Sequence, residues 1–323
     1  MHMLVHIVQL CQSIVTILRK KASQAHMYIP THCTLCPRHC GADRTKAAGF
    51  CGAGPELKVA RAALHHWEEP CLSGNRGSGT VFFSGCSLRC CYCQNWNISA
   101  EGFGKAISTD RLSRIFLELQ AQGAHNINLV TATQWLPWVL PALDEARAQG
   151  LSLPVVYNTG GYETVETVKL LAGYVDVWLA DVKYIDPALS ERYSAAPDYF
   201  EVCSAAVRQM IAQTGAPVYD QDGILQKGVI LRHLALPGSL KDSQAILRWM
   251  AELPRGSFIP SLMSQYTPFY KAAEMKPLNR RISTWEYRQV VDTAIELGLT
   301  DGYMQEKSSA REEYTPPFDL EGV

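Results

Sequence analysis

Thr80-Val81-Phe82-Phe83-Ser84-Gly85-Cys86-Ser87-Leu88-Arg89-Cys90-Cys91-Tyr92-Cys93-Gln94-Asn95-Trp96 joins an apolar run to a loop that carries four thiols. The β-branched and aromatic residues at its start read as a buried strand, and Gly85 ends it. In the loop, Cys86, Cys90 and Cys93 form a Cys-x3-Cys-x2-Cys pattern. Three thiolates this close can each bind a different iron of a cubane cluster, and soft sulfur donors suit iron–sulfur or zinc. A closed zinc site normally takes four protein ligands. The remaining loop thiol, Cys91, is adjacent to Cys90, and adjacent side chains point apart. It reads as a small buried apolar residue and is left out of the ligand set. Three ligands leave one iron open to something that is not protein.

Downstream, apolar runs alternate with amphipathic stretches. Strands are expected at 80–85, 126–131, 154–158, 175–181, 228–236 and 258–263. Helices are expected at 112–122, 137–149, 163–171, 200–213, 240–253 and 284–297, several of them stopped by glycine. Strand–helix alternation implies parallel strands with right-handed crossovers. Six units are too few for a closed eight-stranded barrel, so a partial, TIM-like (β/α)6 barrel is expected. A late run at 302–306 reads as one more strand.

Upstream, Cys33-x2-Cys36-x3-Cys40 is followed by Cys51. Four thiols on short, glycine-containing loops read as a second metal site, closed zinc or four-ligand iron–sulfur, against free thiols in a loop. Spacing alone does not separate zinc from iron. Residues 63–71 hold adjacent His65 and His66 and adjacent Glu68 and Glu69; the run reads as a hairpin, with Glu69 kept as a site candidate. The apolar segment at 3–18 is interrupted by polar residues and is too short and polar for a membrane span. Its basic residues follow the apolar stretch, the wrong side for a signal peptide. It reads as an amphipathic helix. The expected division is therefore a helix-like segment at 1–30, a cysteine-rich extension and lead-in at 31–79, the barrel at 80–306 and a tail at 307–323.

With 323 residues, 47% of them hydrophobic, the chain can bury a sizeable core. Its 30 basic and 31 acidic residues balance to a net charge of −1, which gives no global reason to bind nucleic acid. The 11 cysteines cluster with ligand spacing and are not scattered as pairs, which suits a reducing, cytoplasmic setting over a disulfide framework.

The Cys-x3-Cys-x2-Cys spacing, with Tyr92 before its last cysteine, resembles the signature of the radical S-adenosylmethionine (SAM) enzymes. From about Cys33 onward the chain looks most like the PflX-type relatives of pyruvate formate-lyase activating enzyme. The matching phrases are Cys33-Thr34-Leu35-Cys36-Pro37-Arg38-His39-Cys40-Gly41, Glu68-Glu69-Pro70, Arg76-Gly77-Ser78-Gly79 and Asn126-Ile127-Asn128-Leu129-Val130-Thr131. The resemblance implies a [4Fe-4S] cluster on Cys86, Cys90 and Cys93, with SAM chelated to the open iron. One electron from such a cluster cleaves SAM to a 5′-deoxyadenosyl radical, which takes a hydrogen atom from the substrate. In the activating enzymes that hydrogen belongs to a glycine of a partner enzyme, which would make a glycyl-radical enzyme, or another protein substrate, the partner here. An electron donor such as flavodoxin or ferredoxin is implied as well.

The same resemblance nominates SAM contacts at the strand ends, where barrels gather their chemistry. Asn158 and Thr159 stand where activating enzymes carry an Asp-Thr-Asn-Gly run. Asp181-Val182-Lys183 resembles their Asp-Leu-Lys motif. The Gly-Gly-Glu that usually follows the second strand is replaced by Thr131-Ala132-Thr133, whose hydroxyls become candidates, and Tyr92 joins them from the cysteine loop. On the fifth strand Arg232 and His233 must face opposite ways, and His233 is the candidate for a catalytic side chain.

Overall fold

The computed structural model describes residues 29–305 and 316–323. The expected N-terminal helix and the last residue of the 302–306 run lie outside them. All six apolar runs form strands: β2 (Ser78–Phe83), β4 (Ile127–Val130), β5 (Val155–Thr159), β6 (Val177–Asp181), β8 (Leu225–Leu234) and β9 (Ile259–Met263). They pair in parallel in the order β9-β8-β6-β5-β4-β2. On one side β1 (Lys58–His65) adds antiparallel to β2, with β3 (Lys105–Ala106) beyond it. On the other side β10 (Tyr303–Met304) adds parallel to β9, and β7 (Val218–Tyr219) is a short flap on β8. The late strand therefore extends the sheet and does not close it. The architecture is an α/β fold with an open, mostly parallel sheet, a partial barrel.

The crossovers are helices: α3 (Thr109–Ala121), α4 (Leu136–Ala148), α5 (Val165–Leu170), α6 (Pro187–Ser194), α7 (Tyr199–Thr214), α8 (Leu240–Ala251) and α9 (Thr284–Glu296), with the single turns α1 (Pro70–Ser73) and α2 (Trp96–Ser99) ahead of them. Their starts follow capping chemistry. The Ser108 side chain accepts from Arg111 N, Thr164 from Thr167 N, and Ser283 forms a capping box with Glu286. The sequence pattern did not mark α6, which opens on Asp186 as N-cap with Pro187 in its first turn. None of the helices among the described residues is long and apolar enough to cross a membrane.

Period-two alternation sorts each strand between two environments. Val81, Leu129, Tyr157, Trp178 and Leu231 pack outward against the helices in the main core. Val156, Val177, Leu179, Ile230 and Ile259 point inward and make a separate cluster with Cys71 and Leu72 of α1. Asn126, just ahead of β4, donates to Leu72 O at 2.9 Å. Helix α1 thus plugs the barrel at the N-terminal ends of the strands. The inward positions one or two residues further along the strands are polar, and a cavity opens there.

Candidate active site

A cavity of about 310 Å³ is lined by the cysteine loop at one end and by inward side chains of the strands. Cys86, Cys90 and Cys93 all line it, whereas Cys91 does not. Each lining sulfur accepts a hydrogen bond: Cys86 Sγ from Leu88 N at 3.4 Å, Cys90 Sγ from Ser194 Oγ at 3.0 Å, and Cys93 Sγ from Ser99 Oγ at 3.3 Å. None is in a disulfide. Burial raises the thiol pKa of Cys86 and pushes that of Cys93 up to about 12. The strand-to-loop turn is made by Gly85 at φ +82°, where a Cβ would lie 2.4 Å from Cys51 O. Only glycine lets the upstream segment approach this closely.

The far part of the cavity is a network of charges. Asp181 Oδ2 takes Lys183 Nζ at 2.6 Å, and Asp181 Oδ1 takes Arg232 Nε at 2.8 Å. Arg232 also donates to Asn158 Oδ1 at 2.7 Å and meets Glu68 Oε2 at 3.3 Å. Glu68 Oε1 accepts from Asn158 Nδ2 at 3.1 Å and Asn128 Nδ2 at 3.3 Å. Burial alone would raise the Asp181 pKa, but Arg232 and Lys183 outweigh it and hold the carboxyl below its ordinary value. Burial dominates at Glu68, whose pKa stays raised despite Arg232. Glu69 is pushed to about 7 by burial, which Arg232 only partly offsets.

Of the expected contacts, Tyr92, Thr131, Asn158, Thr159, Asp181 and Lys183 all line the cavity together with the three cysteines. Their side chains are not equally available. Asn158 is held by Arg232 and Glu68. The Thr159 hydroxyl donates to Glu163 at 2.7 Å. Tyr92 Oη bonds Tyr184 Oη at 2.6 Å. Thr131 sits at φ +57°, a left-handed backbone that costs a β-branched residue about 1–3 kcal/mol and is typical of functional turns. Thr133 is not at the cavity: its hydroxyl donates to Glu163 at 2.6 Å and accepts from Tyr157 Oη at 3.0 Å. In place of a ligand contact, the Thr131–Trp135 run braces the cysteine loop, since Gln134 Nε2 donates to Ser84 O and Gly85 O and Trp135 Nε1 donates to Ser84 O.

One expectation is corrected. His233 is on the outer face of β8, its ring between Val182 O at 2.8 Å and Ser243 Oγ at 2.9 Å. Burial drops its pKa to about 4, and it does not line the cavity. The inward residue of that pair is Arg232. Cys33, Cys36, Cys40 and Cys51 are gathered upstream of this loop: each interacts electrostatically with another of the four, and the Cys40 and Cys51 sulfurs lie 3.3 and 3.8 Å from one point beside Gly49. Among the described residues neither this group nor the cavity cysteines converge on a single metal ion. The upstream segment also straps the cysteine loop. Arg38 Nε donates to Ser87 O and its Nη2 to Ser194 O, both at 2.8 Å, and it also reaches Ala195 O. Arg44, fully buried, lies against the rings of Trp135 and Trp138 and donates to Gly54 O and Gln134 O. Cys86 N donates to Cys51 O at 3.1 Å.

Sequence reasoning missed Glu68 as a member of the site and also missed Ser261, which donates to Glu69 Oε1 at 3.1 Å. The Glu68-Glu69-Pro70 run was the available signal: two acids and a helix-starting proline between apolar residues.

Comparison with known proteins agrees with this geometry. The family model "Radical SAM superfamily" matches residues 80–211, from β2 and the cysteine loop into α7. The uncharacterized protein MJ0674 of Methanocaldococcus jannaschii is 30% identical over 275 residues, which are 83% of this chain and 75% of that protein. Similar solved structures include a domain of pyruvate-formate lyase-activating enzyme from Bacteroides vulgatus, at 16% identity over 50% of this chain and 87% of that one, with a TM-score of 0.35. A radical SAM methyltransferase from Sphaerobacter thermophilus is similar at 13% identity over 72% and 67% of the two chains, with a TM-score of 0.47. With three spaced cysteines at one end of a partial parallel barrel, and the family model matching over that same stretch, the chain belongs to the radical SAM superfamily.

Proposed function

We propose that this protein binds SAM at a [4Fe-4S] cluster and uses it to take a hydrogen atom from a substrate held in the barrel cavity. The observation that carries the reading is the shared cavity: Cys86, Cys90 and Cys93 face the same space as Asn158, Asp181, Lys183 and Arg232. The residues present fit the cluster. The donors are soft, they come from one short loop, and each sulfur already accepts a hydrogen bond. Three thiols that serve separate irons need not converge on one ion, and these do not. When bound, the cluster and SAM together supply one-electron cleavage and a hydrogen-abstracting 5′-deoxyadenosyl radical.

The chain's own residues bind and orient. Lys183, charged and fixed by Asp181, offers its remaining donor capacity to a carboxylate or ribose oxygen of SAM. Tyr92, buried among Tyr184, Tyr193 and Tyr266, closes the loop end of the cavity against water. Thr131 places a hydroxyl at the β4 end.

The resemblance of the cysteine loop and the Asp181–Lys183 run to activating enzymes supports a glycine of a partner enzyme as the hydrogen donor, with flavodoxin or ferredoxin as the electron source. The charged floor supports a second reading, a small molecule or protein side chain with a polar group. Anaerobic reconstitution, reduction and addition of SAM should release 5′-deoxyadenosine; a fully loaded cluster that releases none overturns the proposal. Co-expression with a candidate glycyl-radical enzyme separates the two readings, because only the first yields a glycyl doublet by electron paramagnetic resonance.

A further inference from the structure

Among the charged side chains of the cavity floor, Glu69 is the one whose needs the protein leaves unmet. Glu68 and Asp181 have Arg232 and Lys183. Glu69 is 8% exposed, lines the cavity and has one oxygen on Ser261 Oγ. Its other oxygen, Oε2, is buried with no hydrogen-bond partner among the described residues. Among the described residues lining the cavity, three carboxyls, Glu68, Glu69 and Asp181, face two cations, Arg232 and Lys183. His65, the one lining histidine, is held neutral by burial and by nearby His66, which drop its pKa to about 4. A buried carboxylate with an unpartnered oxygen and only the shared Arg232 for a counter-charge is costly unless something arrives to complete it.

We propose that Glu69, with Glu68 beside it, docks a protonated amine of the substrate at the floor of the cavity. This rests on the reading of the cavity as a SAM-dependent hydrogen-abstraction site and names the substrate class it serves. The ammonium donates to Glu69 Oε2 and supplies the missing positive charge. Ser261 holds the other oxygen and fixes the carboxyl plane. The amine end is thereby anchored at the floor, and the carbon that loses hydrogen is presented toward the cysteine loop. For a small molecule this describes an amine; for a protein substrate it describes a lysine side chain.

The test compares two probes on the anaerobically reconstituted, SAM-bound full chain: Nα-acetyl-lysine amide and its norleucine counterpart, which lacks the ammonium. Binding is followed by calorimetry or saturation-transfer NMR. The lysine probe should bind on the order of tenfold more tightly, and Glu69→Gln should bring the two probes level. Glu69→Asp, which keeps the charge, should retain part of the preference. Above about pH 8, where the Glu69 carboxyl is ionised, Glu69→Gln should also raise the melting temperature of the free protein, since it removes a buried charge, whereas a purely structural glutamate would lower it. Equal binding of both probes by the native protein, a preference that survives Glu69→Gln, or a lower melting temperature for that variant overturns the proposal. The binding ratio is read without turnover. Failure of 5′-deoxyadenosine release therefore leaves the ratio readable, and equal binding by a protein that still releases 5′-deoxyadenosine counts against the amine site alone.

Discussion

The two cysteine groups have nearly mirrored spacings and opposite settings. Cys33-x2-Cys36-x3-Cys40, with Cys51, lies outside the barrel among arginines, aromatic rings and backbone carbonyls. Cys86-x3-Cys90-x2-Cys93 opens onto a cavity whose far part carries fixed charges. Ligand-like spacing is thus shared by a segment that straps the loop and by the loop that opens on the cavity. What separates them is the space beside the sulfurs and the polar groups across it.

The largest expected effect breaks the pair apart. Replacing Cys86, Cys90 or Cys93 by Ala should abolish 5′-deoxyadenosine release and cluster absorbance. Replacing the four upstream cysteines by Ser should leave iron and zinc content and release unchanged, at a stability cost of about 1–2 kcal/mol for each buried thiol. A fall in zinc or iron content on the upstream replacement would show a second metal site there; unchanged content would leave the strap alone. Next, Arg232→Met leaves the buried Glu68 and Asp181 carboxylates short of a partner and should cost about 3–5 kcal/mol in urea unfolding; a loss below about 1 kcal/mol would show the network to be wetter than it looks. Arg38→Ala removes the strap's bonds to Ser87, Ser194 and Ala195. It should cost about 1.5–3 kcal/mol and let a chelator strip iron faster than from the native protein.

A further effect, read in pH and not in a single substitution, lies beneath the strap. Glu163 accepts from Thr133 and Thr159 on one oxygen, leaves the other unpartnered, and is pushed by burial from 4.5 to about 7. A raised carboxyl favours the protonated folded state. The penalty is therefore absent below the ordinary glutamate value, grows as pH rises toward 7 and is complete above it, amounting to on the order of 3 kcal/mol. Glu163→Gln should flatten that part of the stability–pH curve; an unchanged slope would remove Glu163 as its source.

The six strands and the cysteine loop could be read from the chain because alternation, apolar runs and helix stops are local. The faces could not. Strand β8 is apolar over most of its length and packed on both sides, so nothing in Leu231-Arg232-His233-Leu234 says which polar residue looks inward. Pairing supplies the answer: Asp181 lies opposite Arg232 across β6 and β8. Thr159 was found, but its hydroxyl turns to Glu163, a residue four positions on that carries no motif. Glu68 was hidden for a related reason. Its direction is set by the plug α1 beneath the barrel, and that placement is a long-range packing fact.

The hydroxyls of Tyr92, Tyr184 and Ser194 form a chain of 2.6 and 2.9 Å bonds that ends on Cys90 Sγ at 3.0 Å. Hydrogen bonds to cluster sulfurs stabilise added electron density and raise a reduction potential. With a cluster on these thiols, the chain would help set how hard that centre is to reduce. Ser194 also gives its carbonyl to Arg38. With a cluster bound, the reduction potential of the loop would thus be tied to the upstream strap, and loosening the strap would shift a voltage as well as a stability.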